Sequence, residues 1–404
     1  MKYDVIVVGA GPAGATAAKC LAEKGVKVAL IDKKEFPRDK SCGGGLPTRV
    51  LKRFPYTVDL IDSISYGSIT YSSSLRYKFR ILRDKPLIAT VVRKDFDYGL
   101  VKIAIAKGVD FIVDNTVKDI QVEKNKSNVI FEDGKKLESK LIIGADGVRS
   151  VVADKSKLAK KTDGNCLCII EEQLMNEKDI EKYFSDKRIV HIFIKTKGIS
   201  GYGWVFPKRK YVNIGIGEFE TGINNKKPRS NLIEVFDNYI DILKDKKILP
   251  KNFKIKNRQG GILPIFPLEK TYSERILLCG DAAGFINPIT GEGIYYAMVS
   301  GQLAADISIK ALKNNDFSEK SLSKYQKKWQ NDFGKDLKIL GKFNKQWEKD
   351  TEKIVRRLTK DKTLAKLIIG VTGGQISVSR YELLLYIRYI YVLLKEFISH
   401  NLDK

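Results

Sequence analysis

Histidine is nearly absent from this sequence, and cysteine is sparse and irregularly placed. Only His191 and His400 occur among 404 residues, so a Ser-His-Asp triad or a histidine-rich metal site is close to excluded. An odd number of cysteines without regular spacing argues against a disulfide framework and for a reducing cytoplasm. These five residues are Cys20, Cys42, Cys166, Cys168 and Cys279. We therefore expect neither structural disulfides nor a bound metal.

A bilayer-spanning apolar run is also missing, and no signal peptide precedes the first predicted strand, over residues 3–8. The most apolar late segment, residues 381–398, is interrupted by Glu382, Arg388 and Lys395. This pattern predicts an amphipathic helix that is apolar over most of its circumference. We expect this helix by default to pack against the rest of the protein. The alternative is that it lies on a bilayer or lines a lipid cavity. We expect a cytoplasmic protein, either free or peripheral at the inner face of the membrane.

Acidic residues are outnumbered, with 73 lysines and arginines against 48 aspartates and glutamates, a formal net charge of +25. Such an excess suits nucleic acid, an anionic membrane surface or an acidic protein partner, and a lysine-rich solvated surface is the alternative reading. Because no RNA-recognition signature, helix-turn-helix pattern or basic tail is present, we predict no nucleic-acid partner. With 43% hydrophobic residues, the chain is typical of a globular protein of two or more domains.

The chain begins with a pattern that predicts dinucleotide binding. In YDVIVVGAGPAGATAAKCLAEKGVKVALIDKK, a β-rich run is followed by G-x-G-x-x-G, a helix, a second strand and an acid. Gly9 permits the tight turn, Gly11 lets the backbone approach a pyrophosphate, and Gly14 lets the helix pack closely on the sheet. Asp32 follows the second strand, where its carboxylate would meet the adenosine ribose hydroxyls. This pattern alone does not separate FAD from NAD.

Two later strand ends favour FAD. KLIIGADGVRSVV, residues 140–152, predicts a buried strand that ends beside Asp146, and another apolar run stops at Gly280 and Asp281. Ligands bind at the carboxyl edge of an open α/β sheet, and an NAD-only domain has no use for these two extra strand ends. FAD does, because its flavin end extends further. We expect Asp281 to bond a ribityl hydroxyl.

A glycine-lined helix start follows Asp281 by about a dozen residues. Gly291, Glu292 and Gly293 precede an apolar helix that begins at Ile294. Backbone N–H groups at this helix start can stabilise the negative charge that grows on the flavin when it is reduced. The two glycines leave room for the ring.

Together these motifs resemble the glutathione-reductase-type FAD fold of the p-hydroxybenzoate hydroxylase class. Within that class the chain most resembles the geranylgeranyl reductase family, especially its archaeal digeranylgeranylglycerophospholipid reductases. The resemblance covers roughly residues 1–310 and is weak in the lysine-rich C-terminal helices. Its stretches are GAGPAGATAA, KSCGGGLP (40–47), VVRKDFDYGLVKIAIAKGV (91–109), GYGWVFP (201–207) and LLCGDAAGFINPITGEGIYYAMVSGQLAAD (277–306).

The resemblance implies contacts with the ADP half of FAD. Ala13, Gly14 and Asp32 would hold this half, with the backbone of Val117 against the adenine. Arg93, in an Arg-x-x-Phe-Asp run, would contact the FAD backbone. The family usually has glutamate where this chain has Asp32, so the ribose contact would be kept with a shorter reach.

The resemblance also implies contacts with the flavin half. Cys42, Gly43 and Gly45 would form a loop beside the isoalloxazine ring. Asp281 and the helix start would close the flavin site through Gly293 and Ile294. The cofactor expected on these grounds is FAD.

Cys42 and an aromatic strand are the candidate substrate-side groups. Cys42 shapes the glycine loop, donates a proton to the alkene, or forms a redox relay with Cys279, ranked in that order because thiols are buried more often than they are catalytic. Tyr202, Trp204 and Phe206 alternate along one strand, so they share one face. Core packing is one reading of this face, and an aromatic wall for a polyisoprenoid chain is the family-supported alternative.

The predicted fold class is α/β, a Rossmann-type FAD-binding domain with an antiparallel β-sheet substrate domain and a C-terminal helical region. The FAD-binding domain is predicted to be discontinuous, with residues 1–48, 88–158 and 270–315. The predicted substrate domain comprises residues 49–87 and 159–269. Residues 316–404 form the helical region.

The predicted activity is saturation of C=C bonds in geranylgeranyl chains, most favourably of archaeal membrane phospholipid precursors, by hydride transfer from reduced flavin. No second G-x-G-x-x-G occurs, so the electron donor would dock transiently, either NAD(P)H or an acidic ferredoxin attracted to the basic surface. A flavin monooxygenase or halogenase of the same fold is the nearest rival. A non-catalytic flavoprotein that carries or senses lipid is the rival from another class.

Overall fold

The computed structural model describes residues 2–159, 164–219, 231–347 and 351–402. The strands are β1 (Lys2–Val8), β2 (Val28–Ile31), β3 (Gly45–Pro47), β4 (Ser63–Ser65), β5 (Gly67–Tyr71), β6 (Lys78–Leu82), β7 (Ile88–Thr90), β8 (Asp110–Ile112), β9 (Val117–Val122), β10 (Ser127–Phe131), β11 (Lys136–Gly144), β12 (Asn165–Leu174), β13 (Val190–Ile194), β14 (Gly201–Pro207), β15 (Tyr211–Phe219), β16 (Arg258–Pro264), β17 (Tyr272–Ser273) and β18 (Ile276–Leu278).

The helices are α1 (Pro12–Ala22), α2 (Arg49–Arg53), α3 (Arg93–Ile105), α4 (Val151–Lys155), α5 (Glu177–Phe184), α6 (Leu232–Asp245), α7 (Ile294–Asn314), α8 (Glu319–Trp329), α9 (Lys335–Trp347), α10 (Thr351–Lys360), α11 (Lys362–Thr372) and α12 (Val378–Leu402). A π-helical turn, Gln330–Gly334, separates α8 from α9, and short 3-10 turns cover Pro55–Leu60, Thr196–Gly198 and Gly280–Ala283. The chain divides into two compact units. The first unit is Met1–Lys40, Val92–Cys166 and Ile262–Leu337, and the second is Ser41–Val91, Leu167–Gly261 and Lys338–Lys404.

The first unit is built on a parallel sheet with strand order β18-β11-β1-β2-β8. β2 and the last four residues of β1 are continuous, buried apolar runs, as expected of strands covered on both faces. Strands β9 and β10 extend from β11 as an antiparallel meander. The predicted α/β class with three sheet strands that end at one edge is therefore confirmed.

Helices α1 and α7 cross closely in the first unit because small residues line their contact. A Cβ atom added at Gly301 would lie 2.2 Å from the carbonyl oxygen of Ala13, so only glycine fits there. α1 begins with Pro12, which lacks the N–H that a helix start leaves unpaired. This packing fixes the direction in which α1 leaves the sheet edge.

The second unit contains a sheet with strand order β16-β12-β15-β14-β13-β5-β6. The β13-β14-β15 and β5-β6 pairs are antiparallel, but β13 and β5 are parallel. The predicted antiparallel sheet is therefore mixed, with β13 and β5 as a parallel pair. β5 and β13 are separated by more than a hundred residues, so no short hairpin constrains their direction.

The predicted C-terminal helical region is present, and its helices α10, α11 and α12 belong to the second unit. An apolar cluster joins the sheet to α10, α11 and α12, with Phe79 and Ile194 on the sheet and Val355, Leu364 and Val392 on the helices. α12 contributes little else to this core, and most of its apolar side chains are exposed. The expected packing of this helix against the rest of the protein is therefore limited to one side of the helix. Among the described residues, no helix is long and apolar enough to cross a membrane.

Candidate cofactor site

Four parallel strands of the first unit end in the residues that the sequence singles out. β1 runs into Gly9, β2 into Asp32, β11 into Ala145 and Asp146, and β18 into the Gly280–Ala283 turn that carries Asp281. Because these strands are parallel neighbours, their carboxyl ends lie at one edge of the sheet. The sheet thus gathers the fingerprint, both later strand ends and the second-strand acid.

The outer two glycines of the fingerprint are required by the packing of the chain itself. Gly9 has φ +98°, and a Cβ atom there would lie 2.3 Å from the Ala145 carbonyl oxygen. A Cβ atom on Gly14 would lie 1.8 Å from the Gly9 carbonyl oxygen. Both positions therefore exclude larger residues, in agreement with the tight turn and the close helix–strand packing predicted for them.

Gly11 differs from its two neighbours in the motif. Its φ of −73° and ψ of −175° suit any residue. An added Cβ atom would meet only the Arg38 guanidinium, at 3.9 Å. Nothing in the described chain requires glycine here, so the backbone at this position is open to a close approach by a group from outside the chain. A pyrophosphate at the start of α1 fits this position.

Asp32 is held against the same loop by its own hydrogen bonds. Its carboxylate accepts from the backbone N–H of Ala10 at 2.9 Å and of Lys34 at 3.0 Å. The Arg38 guanidinium lies 3.8 Å from one carboxylate oxygen. The carboxylate has further lone pairs beyond these bonds, so a ribose contact is compatible with them. That contact stays a prediction.

Arg38 and Asp97 are two site residues that sequence reasoning missed. Asp97 is fully buried, accepts two hydrogen bonds of 2.8 Å from Arg93, and lies 3.3 Å from Arg38. The four-residue spacing of Arg93 and Asp97 on α3 was a readable signal, whereas no local pattern points to Arg38. The contact of Arg93 with FAD stays a prediction, and in this structure the Arg93 guanidinium donates to Asp97.

Asp281 presents an unpartnered carboxylate at the end of β18. It makes no hydrogen bond to the described residues, and one carboxylate oxygen would lie 3.5 Å from a Cβ atom on Gly293. Burial raises the pKa of Asp281, and the nearby positive charges of Lys40 and Arg93 oppose this rise. An acceptor that the chain leaves without a donor is suited to a hydroxyl group of a ligand.

Two side chains, those of Asn287 and Glu292, shape the start of α7. The side-chain oxygen of Asn287 accepts from the N–H groups of Ile289 and Thr290, and Glu292 accepts from the Tyr295 N–H at 2.7 Å. Gly291, with φ +64°, makes the turn between them. Gly293 is the N-cap, and Ile294 is the buried first residue of α7. Glu292 therefore occupies one of the free N–H groups of this helix start.

Three further residues predicted to bind the cofactor are Asp146, Val117 and Ala13. Asp146 contacts the start of α4, where it accepts from the hydroxyl of the N-cap Ser150 at 2.5 Å and from the Val152 N–H at 3.2 Å, and burial raises the pKa of Asp146. Val117 is the buried first residue of β9. Ala13 is buried in the contact between α1 and α7.

The other predicted residues belong to the second unit, where the aromatic strand packs on the Cys42 loop. A Cβ atom on Gly43 would lie 3.0 Å from Trp204 Nε1, and one on Gly45 would lie 2.9 Å from a ring carbon of Phe206. The Cys42 sulfur accepts from the Gly44 N–H at 3.3 Å. The structure therefore brings these aromatic rings and the glycine loop together, although more than 150 residues separate them.

A buried polar network behind this loop was also missed. Asn213 accepts from Trp204 Nε1 at 2.9 Å and donates to the Cys42 carbonyl oxygen and to Glu172, both at 3.1 Å. Glu172 also forms an ion pair with Lys208, whose side chain is fully buried. This network fixes the indole and the loop backbone in one arrangement. Its members lie on different strands, so no sequence motif identifies it.

The third aromatic residue of this strand is Tyr202. Tyr202 is half-buried, with its ring centroid 5.6 Å from that of Trp204.

Burial raises the pKa of Cys279 to about 12, so this thiol stays protonated at neutral pH. A redox relay between Cys42 and Cys279 is disfavoured on this ground. The Gly44 hydrogen bond favours a structural role for Cys42.

Sequence comparison places the chain among FAD-binding proteins. The family model described as FAD binding domain matches residues 2–328. A digeranylgeranylglycerophospholipid reductase of Methanocaldococcus jannaschii is 33% identical over 81% of this chain and 82% of its own length. Digeranylgeranylglycerophospholipid reductase 1 of Methanococcoides burtonii is 30% identical over 83% of this chain and 81% of its own length.

Solved structures show the same fold. A geranylgeranyl bacteriochlorophyll reductase-like protein of Thermoplasma acidophilum superposes with a TM-score of 0.78 at 24% identity, covering 94% of this chain and 98% of that one. A flavin-dependent brominase superposes with a TM-score of 0.73 at 20% identity, covering 96% of this chain and 100% of that one. The fold is therefore shared with reductase-like and halogenating flavoproteins alike, and it does not choose between their chemistries.

Proposed function

Because this chain belongs to the digeranylgeranylglycerophospholipid reductase family and carries an FAD binding domain, we propose that it is an FAD-dependent reductase of geranylgeranyl chains. Its substrates are C=C bonds of polyisoprenoid lipids, most favourably archaeal membrane phospholipid precursors. The observation that carries the reductase proposal is the similarity to digeranylgeranylglycerophospholipid reductases over about four fifths of the chain, and the open start of α1 at Gly11 supports the cofactor part of it.

The cofactor is proposed to be held by the strand-end edge of the first unit. The loop through Gly11 and the start of α1 stabilise the pyrophosphate, and Asp32 contacts the ribose. Asp281 accepts from a ribityl hydroxyl, and the α7 start at Gly293 and Ile294 faces the flavin. When bound and reduced, FAD would supply a hydride to one carbon of the alkene, and a proton would be added to the other carbon.

The residues of the second unit are proposed to orient the lipid chain and exclude water. An isolated alkene offers no polar handle, so it binds through apolar area and dispersion. Tyr202, Trp204 and Phe206 supply such a surface, and Asn213 holds the indole of Trp204. Cys42 shapes the loop beside this surface, a role supported by the hydrogen bond from Gly44 to its sulfur.

The proposal also includes the domain boundaries, the electron donor and the location of the protein. The FAD-binding domain comprises residues 1–48, 88–158 and 270–315, and the substrate domain comprises 49–87 and 159–269. The reductant docks transiently and is NAD(P)H or an acidic ferredoxin, in keeping with the net charge of +25. The protein works in the cytoplasm, in peripheral contact with the membrane that holds its lipid substrate.

The test is anaerobic incubation of the chemically reduced, FAD-loaded protein with geranylgeranyl lipids, read by mass spectrometry. Saturation adds two hydrogens per double bond, and we expect products that carry one or more such additions. Parallel aerobic reactions with aromatic substrates and halide test the rival chemistries. A hydroxylated or halogenated product, without saturation of the lipid, would overturn the proposal.

A further inference from the structure

Helix α12 exposes an unusually large apolar surface. Ten of the sixteen exposed large apolar side chains in the described part of the chain lie on this one helix. Leu383 is 73% exposed and Phe397 is 65% exposed. The ten residues are Tyr381, Leu383, Leu384, Tyr386, Ile387, Ile390, Tyr391, Leu394, Phe397 and Ile398. Single exposed apolar residues are ordinary, but a continuous patch of this kind indicates a surface that meets something apolar.

Nine of these side chains, all except that of Tyr381, form one face of the helix, here called the α12 face. Leu383, Ile387, Ile390, Leu394 and Phe397 recur at spacings of three and four residues, which places them on one side. The opposite side packs on the protein through the buried Val392. The α12 face is therefore distinct from the side of the helix that packs against the core.

Acidic groups around α12 are engaged within the second unit. Asp361 accepts from Arg388 Nε at 3.1 Å, and Glu396 accepts from Arg357 Nε at 2.8 Å. Glu352, on α10, accepts from serine hydroxyls of residues 72–74. Three of the four acids in residues 351–402 are thus paired with groups of the protein, and the fourth, Glu382, is half-buried on α12.

Basic groups, in contrast, remain exposed beside the α12 face. Arg380 and Lys395 are exposed on the helix itself, and Lys395 lies next to the apolar side on the helical wheel. Lys360 and Lys362 are exposed on either side of Asp361, which is bonded to α12, and Lys366 is exposed on α11. An apolar face with a basic border is typical of helices that lie in the interface of an anionic bilayer.

We propose that α12 is an interfacial helix that docks the protein on an anionic lipid bilayer. The apolar face enters the boundary between head groups and acyl chains, and the basic border contacts lipid phosphates. This deepens the proposed function and rests on it in one respect, since a reductase of membrane lipids must meet its substrate at a bilayer. The helix lies on the membrane and does not cross it.

A second copy of the chain is a less suitable occupant for this face. Self-association would bring two basic borders together, and residues 351–402 carry nine lysines and arginines against four acids. Like charges that face each other destabilise such a contact, whereas an anionic bilayer is attracted to them. Charge complementarity therefore selects the bilayer.

Vesicle flotation of the full-length, FAD-loaded protein tests the proposal. Phosphatidylglycerol–phosphatidylcholine vesicles are the anionic probe, and pure phosphatidylcholine vesicles are the neutral one. We expect binding to the anionic vesicles that weakens in high salt, and partition about tenfold weaker for the double variant Leu383→Glu/Ile390→Glu. Leu174→Glu is the matched control, because Leu174 is 68% exposed on β12 and outside the α12 face.

Further measurements separate the possible outcomes. Thermal unfolding checks that the exposed substitutions leave the fold intact, and sedimentation velocity measures the oligomeric state. Equal vesicle binding by the double variant and the wild type would overturn the proposal. A wild-type dimer that the double variant dissociates, without vesicle binding, would assign the α12 face to a second copy and also overturn it.

Activity in detergent distinguishes failure of docking from failure of the proposed function. With detergent-dispersed geranylgeranyl lipid, we expect the double variant to match the wild type, because docking is bypassed. With the same lipid in vesicles, only the double variant should lose activity. If neither protein saturates the dispersed lipid while wild-type flotation persists, the proposed function fails and the docking surface stands.

Discussion

Replacing Gly11 with alanine should separate cofactor binding from folding. The backbone at this position suits any residue, and the added methyl group would meet only Arg38, at 3.9 Å. Gly11→Ala should therefore fold. The same methyl group would occupy the space through which we propose that the pyrophosphate approaches the start of α1.

The magnitudes follow from these contacts. Alanine restricts the unfolded chain, which stabilises the protein by about 0.4–1 kcal/mol, and it is a poorer helix N-cap than glycine by a similar amount. The free energy of unfolding of the apoprotein should therefore change by less than about 1 kcal/mol. Loss of one charge-assisted hydrogen bond to phosphate costs about 1.5–3 kcal/mol, which weakens FAD binding about 10- to 100-fold.

The assay is titration of apoprotein with FAD by flavin fluorescence, beside thermal unfolding of the same samples. Gly14→Ala is the matched comparison, because its methyl group would lie 1.8 Å from the Gly9 carbonyl oxygen. That overlap should lower the free energy of unfolding by about 1–3 kcal/mol or more. If Gly11→Ala bound FAD with the wild-type Kd, the loop would not be the pyrophosphate site.

Three further perturbations test other parts of the structure. Burial, and secondarily the charge of Arg80, lowers the pKa of His191 from 6.5 to about 4, so stability should be constant above pH 6.5 and fall between pH 6.5 and about 4. Denaturant unfolding across this range should show a smaller pH dependence of the free energy of unfolding for His191→Gln than for the wild type. An equal pH dependence in the two proteins would refute the lowered pKa of His191. Glu172→Gln should cost about 3–5 kcal/mol because it leaves the buried Lys208 unpaired, and a double variant with Lys208→Met should recover much of this loss. Asp281→Asn should raise the Tm of the apoprotein at pH 7, since burial raises the pKa of this acid, yet purify with little bound flavin; a fully yellow variant would contradict the ribityl contact.

Local patterns predicted the cofactor-binding half of the protein well. The glycine fingerprint and the strands before Asp146 and Asp281 are short-range features, because each is encoded within a few consecutive residues. The shared edge followed from the parallel order that such strands adopt. Family membership, the fold class and the FAD cofactor could be stated from these stretches, and the comparisons confirm them. The domain boundaries and the individual ligand contacts stay predictions.

Only tertiary structure decided the contacts between distant residues. Arg38 meets Asp97 across 59 positions, and Asn213 meets the Cys42 carbonyl across 171, so neither pairing leaves a local pattern. The parallel pairing of β5 with β13 is likewise undetermined by any hairpin. The exposure of the α12 face was also decided only by the tertiary structure. An apolar helix face has the same sequence pattern whether it packs in a core or lies on a bilayer. Sequence periodicity reports which side of a helix is apolar, and only the packing of the whole chain determines what covers it.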